Sequence, residues 1–163
     1  MHKSILVIAF LVITCSRQDQ RPIPPSAQSV ASTQPVLDSL FRALIDVRGS
    51  FPSQGPPGIG DFSGDRSVLS AISARGDSAV VRLVQCMARA EPTGVRKGSH
   101  TLTMGELCYA LLVNTAYYEP SDSRGELTSN WAGHLDLPAT PAQLEAAKEA
   151  WDSVLVRRAY RLL

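Results

Sequence analysis

The chain has 163 residues, 44% hydrophobic and 19% charged, which suits one globular domain with an appendage. Its formal charge is +1 from 16 basic and 15 acidic side chains; setting aside Lys3, in the N-terminal segment, leaves 15 against 15. That balance leaves no basic footprint for nucleic acid, and the two signs interleave, so no concentrated patch meets an anionic membrane surface.

Met1 to Cys15 reads as an export signal: Lys3 gives a positive start, and Ile5 to Ile13 is an apolar run too short to span a bilayer. Val12-Ile13-Thr14-Cys15 resembles the lipobox of bacterial lipoprotein precursors, with Thr14 where Ala, Gly or Ser is usual. The resemblance implies that Cys15 becomes the lipidated first residue of the mature protein, anchored to a membrane of the cell envelope. The other reading is an ordinary signal peptide cut near Ser16, with Cys15 discarded. Residues 16–34 are rich in Ser, Gln and Pro, including Pro22, Pro24 and Pro25. Such a stretch buries too little apolar surface to offset its ordering entropy, so it reads as a disordered tether spanning about 25 Å. Residues 35–163 then form a single domain.

The periodicities of that domain predict an all-α fold. It is a small orthogonal or bundle-like array of about five helices, near 35–48, 66–75, 78–90, 104–118 and 141–160, with two long irregular loops. In the first helix Pro35 takes the first position, Leu37, Leu40, Phe41, Leu44 and Val47 form the buried stripe, and Gly49 ends it. Residues 49–64 hold a glycine run, Gly58 to Gly64, whose spacing fits neither a dinucleotide fingerprint nor a P-loop; it reads as a flexible connector pinned by Phe51, Ile59 and Phe62. Next comes a helical hairpin. Asp65 caps a helix carrying Val68, Leu69 and Ile72; Gly76 closes it; Asp77 caps the next, with Val80, Leu83, Val84 and Met87. The pair resembles one unit of a HEAT-like helical repeat, although no second copy follows at a fixed period. Glu91 to Thr101 reads as a polar loop whose Arg96, Lys97 and His100 are solvated charge.

The fourth helix is the expected centre. Thr103 and Glu106 form a capping box, Leu102 staples onto Leu107, and Leu107 to Val113 is apolar without a break, as for a helix surrounded by others; Pro120 ends it. In the second irregular stretch, 120–139, Trp131 and His134 could line a cleft with Tyr117, Tyr118 and Glu119, or Trp131 could lid the helical core. The last helix opens on Thr140, Pro141 and Gln143. It buries Leu144, Ala147, Trp151, Val154 and Leu155, and ends with Arg157, Arg158 and Arg161, suited to the helix dipole.

Chemistry-bearing groups are sparse. His100 and His134 lack the spacing of a metal site, no cofactor motif occurs, no nucleophile elbow occurs, and the carboxylate pairs Asp61/Asp65 and Glu145/Glu149 suit caps and surface faces. Cys86 and Cys108 are the thiols left besides Cys15. They fall at nearly the same height on antiparallel helices, leaving two outcomes open: a disulfide, or two buried thiols acting as small hydrophobes. Two functions compete. One is an envelope binding module for a protein or peptide partner, with Tyr118, Glu119, Trp131 and His134 as its surface. The other is a small hydrolase-like enzyme using His134, Glu119, Tyr118 and Asp61 in a cleft between loops 49–64 and 120–139.

Overall fold

The computed structural model describes residues 36–118 and 133–163. The export signal, Cys15, the tether, Glu119 and Trp131 lie outside the described residues. Within them the all-α expectation is overturned: five helices share the fold with a four-stranded mixed sheet and a two-stranded one. The expected first helix divides. Helix α1 (36–43) tightens into a 3-10 turn, Leu44–Asp46, and Val47 turns extended at φ −62° and ψ 134°, opening strand β1 (Arg48–Phe51). Leu37, Phe41, Leu44 and Val47 are all buried, as the stripe predicts, but the last two reach the core from a 3-10 turn and an extended residue.

Both expected loops on this side of the chain carry strands. Strand β2 (Ser63–Gly64) pairs antiparallel with β1, putting Gly49 opposite Gly64. Both glycines have positive φ, 153° and 142°, and a Cβ on Gly49 would lie 2.3 Å from the Ser63 carbonyl oxygen and 2.4 Å from the Phe62 ring. Only glycine lets the two backbones and the ring approach so closely. The intervening chain is pinned: Ile59, opening the 3-10 turn Ile59–Asp61, donates its N–H to Asn114 Oδ1 at 3.0 Å, and Asn114 Nδ2 donates to the Pro57 carbonyl.

Helices α2 (Ser67–Ser73) and α3 (Asp77–Cys86) both pack on α4 (Met104–Val113) rather than chiefly on each other. The HEAT-like expectation therefore gives way: the pair is the connection from β1 and β2 to β3. Asp65 does accept the Ser67 N–H, at 2.9 Å, but Gly76 holds the cap position of α3. The expected polar loop is a hairpin of β3 (Pro92–Lys97) and β4 (His100–Thr103). Strand β3 also runs parallel to β1, giving the order β2-β1-β3-β4. Thr93, Val95 and Lys97 alternate inward. Where the β3–β4 register slips between Pro92 and Arg96, the Thr93 hydroxyl donates to Leu102 O at 2.8 Å and accepts from Val95 N–H at 3.1 Å, replacing ladder bonds.

Helix α4 is central as expected, with every residue from Met104 to Leu112 buried. It stops at Val113, short of 118. Asn114 caps it, and Ala116–Tyr117 becomes β5, paired with β6 (Arg161–Leu162). Its N-terminal N–H groups are fully used: Met104 donates to Glu91 O, Gly105 to Arg89 O and Glu106 to the Thr103 hydroxyl. Gly105 lets the end of α3 meet the start of α4, since a Cβ there would stand 2.3 Å from the Met87 carbonyl oxygen. Just beyond this contact Cys86 and Cys108 form a disulfide, with Cα atoms 5.9 Å apart. Helix α5 (Pro141–Arg157) starts on the expected capping box of Thr140 and Gln143 and buries Leu144, Ala147, Trp151 and Val154.

Candidate functional site

The end of α5 and the strand beyond it build one side of an open cleft of about 420 Å3, lined by Tyr117, Tyr118, Arg158, Ala159, Tyr160 and Arg161. The helix closes with Arg158 N–H on Leu155 O and Ala159 N–H on Val154 O, the paired bonds of a Schellman turn. Such a turn needs one left-handed residue, ordinarily glycine. Here it is Arg158, at φ 49° and ψ 39°. The reversal carries the chain into β6, whose pairing with β5 places Arg161 opposite Tyr117.

Tyr160 fixes the floor of this region. Its hydroxyl donates to Asp77 Oδ1 at 2.8 Å, tying the chain after α5 to the first residue of α3. Burial and the Asp77 carboxylate push the phenol up to about 12, against a smaller opposing pull from Arg158. A folded value raised above the ordinary 10.0 means that the neutral phenol is the stabilised form. Its contribution to stability is complete below pH 10 and is lost as pH rises through about 12. An ultraviolet titration of the tyrosines is expected to show one phenol ionising near 12, a component that Tyr160→Phe removes. A Tyr160→Phe variant that loses instead a phenol ionising near the ordinary value of about 10 would show that the Asp77 contact is not made in solution.

A second polar centre lies inside the fold. Glu106 is only 1% exposed, yet its carboxylate accepts from Thr103 N–H at 2.8 Å, Ala139 N–H at 2.9 Å and the Thr103 hydroxyl, and pairs with His100 Nε2 at 3.1 Å. Burial works against its charge, but these hydrogen bonds prevail and hold the carboxyl below its ordinary value. One turn along α4, the Tyr109 hydroxyl accepts the Leu135 N–H at 2.7 Å, and burial raises that phenol. Trp151 Nε1 donates to Gly133 O at 3.2 Å. Glu106, Tyr109 and Trp151 thus hold residues 133–139 through their backbone. Glu106 serves as an internal anchor with its oxygens fully engaged.

Of the residues singled out from the sequence, Tyr118 lines the cleft, beside Tyr117. His134 is exposed and lines no part of it; Asp61 is exposed on the 3-10 turn Ile59–Asp61, and no hydrogen bond or ion pair among the described residues joins it to His134. Glu119 and Trp131 fall outside the described residues. In the sequence Arg158 and Arg161 suit the helix dipole, and no local pattern singles out Tyr160. The available signal was the lack of a glycine where α5 had to stop. No family model matches the chain, and neither a curated protein nor a solved structure does.

Proposed function

We propose that this chain is an exported domain, held at a membrane of the bacterial cell envelope by a lipid on Cys15, which works by binding a protein or peptide partner. The observation that carries the reading is the Cys86–Cys108 bond, because disulfides persist in oxidising compartments outside the cytosol. It supports the export indicated by Lys3 and the apolar run Ile5 to Ile13. Binding is the activity favoured because the cleft gathers tyrosine and arginine side chains, the types that dominate the energetics of protein interfaces.

Fractionation of cells making the full chain is expected to find it with the membranes, and Cys15→Ser to release it or stall its processing. Acyl chains supply about 0.8 kcal/mol per buried CH₂, so their loss removes most of the membrane affinity. Unmodified wild-type protein wholly in the soluble fraction overturns the anchor. For binding, the chain immobilised through its tether is expected to retain one stoichiometric partner from an envelope extract.

A further inference from the structure

We infer that the cleft between β5 and the end of α5 is the docking site for an acidic, aromatic-bearing peptide segment of a partner protein. Its carboxylates would meet Arg158 and Arg161, and its apolar side chains would lie on Tyr117 and Tyr118. The inference rests on the binding reading above and names the partner's chemistry.

Charge is the first argument. Among the described residues, two of the six that line the cleft are arginines and none is acidic, while Asp77, which reaches this region through Tyr160, is engaged by the Tyr160 hydroxyl. A guanidinium offers a planar fork of donors that matches a carboxylate in paired hydrogen bonds, so the cleft selects carboxylates over cations. The second argument is shape. A small ligand needs a pocket that encloses most of its surface, whereas this cleft is open and runs along the chain from Arg158 to Arg161. A peptide extending past both ends of the cleft suits it better than a compact molecule. The third is the backbone of Arg158. A residue with a Cβ is disfavoured in the left-handed region, and glycine would fill this turn with less strain. The turn carries an arginine that lines the cleft instead, and backbone strain of this kind collects at functional sites.

The full chain in mild detergent is titrated with a short peptide of repeated Glu-Glu-Phe, with its Lys-Lys-Phe counterpart and with free glutamate. The acidic peptide is expected to bind saturably and to weaken in raised salt. Arg158→Gly combined with Arg161→Gln is expected to cost it roughly tenfold in affinity. Arg158→Gly should leave the melting temperature unchanged or raise it, because glycine suits the turn; loss of binding with a retained melting temperature separates recognition from folding. Arg161→Gln alone, in an exposed strand position, provides a second variant if the pair does not fold. No binding of the acidic peptide, equal binding by the lysine peptide, glutamate binding as tightly as the peptide, or full affinity in the variants overturns the inference. If the partner retained by the wild-type chain is retained equally by the double variant, the cleft assignment falls and the binding reading stands.

Discussion

Breaking the Cys86–Cys108 bond is expected to lower the unfolding free energy by about 3 kcal/mol, because it releases a closed loop in the unfolded chain. The cysteines are 22 positions apart, and the loop holds all of β3 and β4. Most of the effect lies in the unfolded ensemble, which gains conformations when the link is cut. For a domain of this size the loss corresponds to a fall in melting temperature of roughly 10 °C. Both cysteines are buried, Cys86 at 6% and Cys108 at 0% exposure, so reductant reaches them after opening of the α3–α4 contact. Thermal unfolding of the oxidised chain, of the denatured, reduced and refolded chain, and of Cys86→Ala/Cys108→Ala measures the effect. Coincident melting curves for oxidised and reduced protein would remove the bond from any account of stability.

Glu106→Ala is expected to cost at least about 3 kcal/mol, since each buried donor left without a partner costs about 1–3 kcal/mol. The substitution strands the Ala139 N–H, removes half of the α4 capping box and leaves His100 without its carboxylate. Glu106→Gln keeps the shape and part of the acceptor set, so its loss should be smaller. The sign of the pH dependence follows from the depressed carboxyl. Its folded value lies below 4.5, so its contribution is fully present above pH 4.5 and is lost as pH falls through the folded value. Denaturant midpoints for wild type and Glu106→Gln should therefore stand apart at neutral pH and converge in acid. A gap that stays constant from neutral pH down to acid unfolding would show that the ionised carboxylate does not provide the anchor.

How far the sequence revealed the fold depends on the range of the forces involved. Helices α4 and α5 were legible because their starts are written locally, by Thr103 with Glu106 and by Thr140 with Pro141 and Gln143. The cysteine pair could be placed from helix heights, although α3 ends at Cys86, earlier than its periodicity suggested. The sheet was hidden for specific reasons. Strand β3 points Thr93 and Lys97 inward beside Val95, and Lys97 stays 8% exposed by donating to the Ser53 carbonyl oxygen at 2.9 Å. Two polar residues among three inward positions erase the alternation that marks a strand. Pro92 and Gly94 made the segment resemble a loop still further. Before the neighbouring strand β1, Leu44 and Val47 continue the helical stripe past the point where the backbone leaves the helix, so from the sequence β1 merges with that helix. The cleft was less legible again, because Tyr117 and Arg161 meet only through the β5–β6 pairing, which no local pattern announces.

The parallel pairing of β1 with β3 sets an order of assembly. The β3–β4 hairpin closes across the turn at Gly98 and Ser99, a local event on the microsecond scale. Strand β1 must instead find a partner whose register joins Arg48 to Gly94, 46 positions later, with α2 and α3 in between. Loop-closure entropy grows with the logarithm of length, so this encounter costs about 2 kcal/mol more than the hairpin before any contact offsets it. By sequence separation α3, the hairpin and α4 are expected to assemble first, leaving the edge of β3 to wait for β1. Until β1 arrives, β3 presents an unpaired edge to any other extended chain, which makes this the interval in which the newly made protein is most exposed to mispairing.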